Sequence, residues 1–149
     1  MLAFCLLHSK IEVMKVLSDE EMQKLGAEIG AELQGGEVFE LVGDVGAGKT
    51  TFVKGLAQGL KIIDDIQSPS FTINRNYSAR KGLILNHYDF YRLNDAGIMK
   101  MEIAESCANL TNITVVEWGE SVSDVLPKER TVVKIAYLPD AGREVEITK

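Results

Sequence analysis

Hydrophobic and polar positions along the chain change period several times, and each change marks an element. A capping box opens the first clear helix, Ser18-Asp19-Glu20-Glu21, with Ser18 as N-cap and Glu21 three residues on. Apolar positions then recur at helical spacing through Met22, Leu25, Ile29 and Leu33, and Gln34-Gly35-Gly36 stops the run. Glu37–Val42 is a short apolar strand ending at Gly43. From Thr50 to Leu60 the helical period returns, with Phe52, Val53, Leu56 and Leu60 on one face.

Downstream the pattern becomes strand-like. Phe71–Tyr77 and Leu83–Phe90 read as extended runs joined by the tight turn Arg80-Lys81-Gly82, which makes a β-hairpin. Asp95 to about Ala108 is a modest helix, with Ile98, Met101 and Ile103 apolar and Gly97 weakening its start. Asn112–Glu117 is a β-branched strand. A short helix is expected over Glu120–Val125, broken at Pro127. Thr131–Tyr137 and Glu144–Thr148 alternate as a final hairpin around Pro139–Gly142. The class is therefore α/β, with antiparallel hairpins added to strands that helices connect.

Met1–His8 is apolar but has no basic lead, no long apolar run and no small-residue cleavage site, and it is too short to span a membrane. It reads as an extra edge strand, or as a non-native extension upstream of a start at Met14. On that reading residues 1–13 are an extension and residues 14–149 form a single domain, a size that supports one core. Two cysteines, Cys5 and Cys107, are too far apart for a metal motif or a disulfide framework, and a reducing cytoplasm is the simplest setting. A net charge of −6 argues against a chain whose main task is gripping nucleic-acid phosphates.

The chemistry concentrates between the first strand and the second helix. Gly43-Asp44-Val45-Gly46-Ala47-Gly48-Lys49-Thr50 fits G-x-x-x-x-G-K-[ST], and Thr51 adds a second hydroxyl. Glycines let the backbone curl so that successive N–H groups point at phosphate oxygens. Lys49 can reach β- and γ-phosphates, Thr50 can bind Mg²⁺, and the following helix adds its positive end. A random chain of this length matches the pattern roughly once in two hundred tries, so the strand before it and the helix after it matter.

Such a loop needs acids for Mg²⁺ at the ends of neighbouring apolar strands, and Asp89 and Glu117 fit. The plainer readings are a turn residue for Asp89 and a solvated strand end for Glu117. Ser68-Pro69-Ser70-Phe71-Thr72 offers hydroxyls on a loop of the kind that senses a γ-phosphate, or is simply a turn fixed by proline. Arg92 and Arg143 are secondary anion candidates that could equally be surface ion pairs. Trp118 either lines the base or ribose or packs in the core. His87 reads as a half-buried neutral histidine, and Cys107 as an apolar filler.

Taken together, Gly43–Phe52, Ser68–Thr72, His87-Tyr88-Asp89-Phe90-Tyr91-Arg92-Leu93, Glu117-Trp118 and Gly142-Arg143 resemble the TsaE (YjeE) family, in the family's order, over nearly all of Met14–Lys149. The resemblance implies a P-loop NTPase-like three-layer sandwich whose mixed sheet has a parallel centre and antiparallel hairpin additions. It implies a weak, partner-stimulated, Mg²⁺-dependent ATPase that binds ATP/ADP in the cytoplasm. Its partners would be TsaD-like and TsaB-like proteins that make N6-threonylcarbamoyladenosine at position 37 of tRNA, with tRNA met only indirectly and no membrane involved.

Residue by residue, the resemblance makes Lys49, Asp89 and Glu117 catalytic and Thr50, Asp89 and Glu117 metal contacts. Asp44, Val45, Gly46, Ala47, Gly48, Lys49, Thr50, Thr51, Ser70, Trp118 and Arg143 become nucleotide contacts. Two positions depart from the family pattern: Ser70 keeps the hydroxyl of a usual Thr, and Val45 replaces a usual Leu. The residues alone leave other readings open. A P-loop small-molecule kinase would want a lid and several arginines, against five in this chain. A GTP switch would want Asn-Lys-x-Asp, which is missing. A nucleotide-binding regulator that never hydrolyses stays compatible with the same acids.

Overall fold

A computed structural model describes residues 11–149; the apolar Met1–His8 lies outside the described residues. The elements run β1 (Ile11–Val16), α1 (Asp19–Glu32), β2 (Val38–Val42), α2 (Lys49–Gly59), β3 (Asn74–Ser78), β4 (Ile84–Asp89), α3 (Met99–Ala108), β5 (Asn112–Glu117), β6 (Thr131–Tyr137) and β7 (Arg143–Thr148). They build one seven-stranded sheet in the order β1-β7-β6-β2-β5-β4-β3. The central strands β6, β2, β5 and β4 are parallel, while β1, β7 and β3 are added antiparallel.

Burial explains the pattern. All six residues of β5 are buried, as expected for a parallel strand covered on both faces. On one face, Phe52, Val53 and Leu56 of α2 meet Phe39 and Leu41 of β2, Leu85 of β4 and Val115 of β5. On the other, Ile103 of α3 packs with Tyr88, Phe90 and Val116, joined by Val122 and Leu126. In the antiparallel β6–β7 pair, buried and accessible positions alternate over most of each strand, which is why that hairpin is legible in the sequence.

Several boundaries differ from the sequence expectation. β1 begins at Ile11 and pairs with β7 along its whole length, so a boundary before Met14 falls inside a strand. Phe71 and Thr72 are not extended; they belong to a turn in which the Thr72 and Ile73 amides donate to Pro69 O at 3.0 and 2.6 Å. α3 starts at Met99 rather than Asp95 because Gly97 adopts φ +50° and Asp95 Oδ1 accepts from the Gly97 amide, a local turn that competes with helix. The expected Glu120–Val125 helix is a 3₁₀ segment at Gly119–Val122. Leu25 is only partly buried at the margin of the core.

The capping box forms with one change. Ser18 Oγ accepts from the Glu21 amide at 3.1 Å, but Glu21 Oε2 accepts from Leu17 N at 2.8 Å, one residue before the N-cap. α1 and α2 then touch through glycines. A Cβ on Gly55 would stand 2.3 Å from Gln23 O, and one on Gly30 would stand 2.4 Å from Leu56 O. No side chain fits between these backbones. Arg80, read from sequence as a turn residue, ties the two helix ends together. Its Nη1 donates to Gly30 O and Gly59 O at 3.1 and 2.8 Å, and its Nη2 to Ala31 O and Leu33 O at 3.0 and 2.8 Å. A guanidinium thus satisfies terminal carbonyls where both helix dipoles are negative.

Two stability outcomes follow. Gly55→Ala should lower unfolding free energy by about 1–3 kcal/mol, because the new methyl meets backbone that cannot rotate away. Arg80→Ala should cost about 2 kcal/mol, and Arg80→Lys should recover only part, since one ammonium cannot span four carbonyls. Urea unfolding followed by circular dichroism measures both.

Candidate functional site

β2 ends at Val42, and the chain turns through Gly43–Gly48 into α2. Gly46 (φ +78°) and Gly48 (φ +116°) occupy left-handed conformations that glycine adopts without strain. The loop is fixed from behind by the last hairpin. Tyr137 Oη donates to Val45 O at 3.2 Å, and Arg143 Nε donates to Ala47 O at 2.9 Å. The Arg143 guanidinium lies 4.2 Å from the Tyr137 ring centre. In a trans peptide C=O and N–H point opposite ways. Tying the Val45 and Ala47 carbonyls to the hairpin therefore turns the Gly46 and Gly48 amides away from it. With the first turn of α2, this makes a concavity of N–H donors whose geometry suits an anion.

Lys49 is buried beside that concavity. Its Nζ donates to Gly43 O and, at 3.0 Å, to Asp44 O, and it sits 4.7 Å above the Trp118 ring. Trp118 takes a left-handed conformation (φ +55°) directly after β5 and packs against Tyr91 at 4.8 Å. This is neither pure core packing nor free exposure: the ring forms one wall of the site.

The two acids meet here. Asp89 and Glu117 are register partners at the ends of the parallel strands β4 and β5, and they are 3% and 2% exposed. Burial rules out a solvated strand end for Glu117. Asp89 Oδ2 accepts from Ser70 Oγ at 2.7 Å and Oδ1 from the Tyr91 amide at 2.9 Å. Ser70 Oγ lies 2.9 Å from Ser68 Oγ, so the Ser68–Thr72 loop is pinned to Asp89. Glu117 Oε1 is buried with no hydrogen-bond partner. An unshared buried carboxylate oxygen of this kind fits a hard cation. Among the described residues no cluster of three or more His, Cys, Asp or Glu could cage a metal ion. A divalent cation here would take its other ligands from Thr50, water and phosphate, the habit of Mg²⁺ rather than of Zn²⁺.

These groups line a cleft of about 400 Å³, together with Val45, Gly46, Gly48, Thr50, Thr51, Phe71, Tyr91 and Arg92. Phe71 is 82% exposed at the rim, with the Arg92 guanidinium 4.4 Å from its ring centre. Three of the expected nucleotide contacts lie off the lining. Ala47 is buried beneath the loop, Arg143 stands behind it, and Asp44 borders a smaller hollow on the other side of Trp118. Arg143 is thus a brace for the loop in this arrangement. Tyr91 enters the sequence reading only within the His87–Leu93 stretch and with no role of its own, and Tyr137 carries no signal, because an aromatic residue in a strand is ordinary. His87 is fully rather than half buried. Cys107 packs in the α3 cluster, and burial raises its thiol pKa, which disfavours the reactive thiolate.

The brace makes a ligand-independent prediction. Tyr137→Phe and Arg143→Ala should each speed hydrogen exchange of the Gly43–Lys49 amides by about three- to tenfold, since a bond worth about 1 kcal/mol is lost from a loop held on one side. Amides of β5 should not change.

The geometry agrees with comparisons to known proteins. The family model described as "Threonylcarbamoyl adenosine biosynthesis protein TsaE" matches residues 16–145. The tRNA threonylcarbamoyladenosine biosynthesis protein TsaE of Treponema pallidum is 38% identical over 130 residues, covering 87% of this chain and 95% of that protein. The protein of the same name from Bacillus subtilis is 35% identical over 135 residues, covering 90% and 83%. The crystal structure of Bacillus subtilis YdiB superposes with a TM-score of 0.75 at 32% identity, covering 95% of this chain and 86% of that one. With the phosphate loop, the two strand-end acids and the Glu-Trp pair in one cleft, and with sequence and fold similarity along nearly the whole described length, the chain belongs to the TsaE family.

Proposed function

We propose that this protein is the ATP-binding and ATP-hydrolysing component of the machinery that makes N6-threonylcarbamoyladenosine at position 37 of tRNA. It would act in the cytoplasm with TsaD-like and TsaB-like proteins. The pathway is supported by the names of its relatives, which are tRNA threonylcarbamoyladenosine biosynthesis proteins. The observation that carries the ATPase reading is the pair of buried, register-matched acids facing a phosphate loop. A net charge of −6 favours contact with tRNA through partners rather than directly. No helix among the described residues is long and apolar enough to cross a membrane.

Each residue has a task in this reading. The Gly46 and Gly48 amides and the α2 N-terminus receive the phosphates, and Lys49 neutralises charge on the β- and γ-phosphates. Thr50, Asp89 and Glu117 would hold Mg²⁺, which supplies charge stabilisation on the phosphoryl oxygens when bound. Glu117 and Asp89 orient water toward the γ-phosphate, and the Tyr91–Trp118 wall limits solvent access. Release of Ser70 from Asp89 is the local step through which a partner touching the Ser68–Thr72 loop raises a weak basal rate.

The test is ATP hydrolysis with and without TsaD and TsaB, with tRNA modification read in parallel. Wild type should be slow alone and faster with partners. Lys49→Ala should lose about a hundredfold in turnover. Trp118, the single tryptophan, should report Mg·ATP by a fluorescence change that Lys49→Ala abolishes. Unimpaired ATP binding and modification by Lys49→Ala would refute the assignment. Full-rate hydrolysis indifferent to partners would refute activation.

A further inference from the structure

Directly beneath the two acids lies a group to which the ATPase reading gives no task. His87 is fully buried on β4, on the same strand face as Asp89. Its register partner on β5 is Val115, and Glu117 lies two residues further along. Such diagonal neighbours are within side-chain reach on one sheet face. His87 Nε2 stands 3.5 Å from Glu117 Oε2. Neither ring nitrogen of His87 has a hydrogen-bond partner, and Glu117 Oε1 has none. A buried carboxylate short of donors and a buried imidazole short of acceptors each cost free energy, and here they face one another. A shift of roughly 0.5 Å brings the pair to ordinary hydrogen-bond length. Hydrogen bonds at catalytic sites are commonly long before ligand arrives and tighten afterwards.

We infer that His87 is a positioning residue for Glu117, donating from Nε2 to Oε2 and so fixing the orientation of the carboxylate at the cleft. The fixed strand geometry makes this specific. A side chain on the Ser68–Thr72 loop would follow that loop, whereas His87 and Glu117 sit on two hydrogen-bonded strands of the buried sheet. The orientation of the Glu117 carboxylate is then set independently of the Ser68–Thr72 loop, which is tied to Asp89 instead. Partners of this sort, one shell removed from the ligand, typically change metal affinity by about 10- to 100-fold when removed.

The functional arm of the inference rests on the ATPase reading; the pairing itself does not. A double-mutant cycle of His87→Leu and Glu117→Gln in nucleotide-free protein, read as urea midpoints, tests the pairing. The two changes should be non-additive, with His87→Leu shifting the midpoint by different amounts in the presence and absence of Glu117→Gln. Mn²⁺ binding in the presence of a non-hydrolysable ATP analogue, followed by electron paramagnetic resonance, tests the consequence. His87→Leu should weaken Mn²⁺ binding and lower kcat, each about tenfold, while leaving KM for ATP within about twofold. His87→Gln, which keeps an N–H near the Nε2 position, should recover most of both, and His87→Asn, whose amide is nearer Nδ1, should not. If His87→Leu fails to fold, the Gln–Asn contrast decides. Additive midpoints, or wild-type Mn²⁺ affinity and kcat in His87→Leu or His87→Asn, overturn the inference. If the wild-type chain binds no Mn²⁺ with nucleotide, the ATPase reading falls instead, and the cycle still decides the pairing.

Discussion

Because β2, β5 and β4 run parallel, their C-terminal ends share one edge of the sheet, and everything chemical in this protein sits on that edge. β2 delivers the phosphate loop, β5 delivers Glu117 and β4 delivers Asp89. Reversing a six-residue strand would carry its terminal acid roughly 17 Å away, to the opposite edge. The antiparallel additions play a different part. β6 runs with the central strands, so its own C-terminal end places Tyr137 beside the loop, and the turn to β7 returns the chain with Arg143 in first position. The hairpin thereby ties down the carbonyl side of the loop.

The site carries charges that the fold would otherwise avoid. Lys49, Asp89 and Glu117 are all buried, with one cation against two carboxylates. Desolvating an ion costs several kcal/mol, and an unpaired oxygen adds to that. Asp89 is compensated by Ser70 and a backbone amide, whereas Glu117 has only the long approach of His87. Such local expense persists where function requires it and the rest of the structure supplies stability.

That stability comes largely from the helical layer behind the loop. α2 begins at Lys49, so any slack in α2 would move the anion site. Glycine-to-backbone contact with α1 removes the slack, and Arg80 closes the far ends of both helices. The loop is therefore mounted on the most tightly packed part of the molecule, while the Ser68–Thr72 segment opposite it is held by hydroxyls and one exposed cation–aromatic contact.

Local rules written into the chain were enough for much of this. The capping residues of α1, the helical stripe of α2, the glycine-lysine loop and the two hairpins each depend on neighbours within a few residues, so they could be read directly. The strand-then-acid placement of Asp89 and Glu117 was equally local. What the chain order could not reveal depends on groups far apart in sequence. Arg80 is about fifty residues from the α1 carbonyls it satisfies, and Arg143 is 96 from Ala47. Phe71–Ile73 turns rather than extends because the Thr72 and Ile73 amides bond back to Pro69 O while Ser70 ties the loop to Asp89, and α3 starts late because Asp95 Oδ1 accepts from the Gly97 amide in place of a helical bond. The sequence by itself determined that a phosphate-loop motif joins a strand to a helix and which acids could serve it. Only the tertiary structure decided that both acids are buried on one edge, that Arg143 supports the loop from behind, and that His87 stands against Glu117, because parallel pairing and packing set those distances.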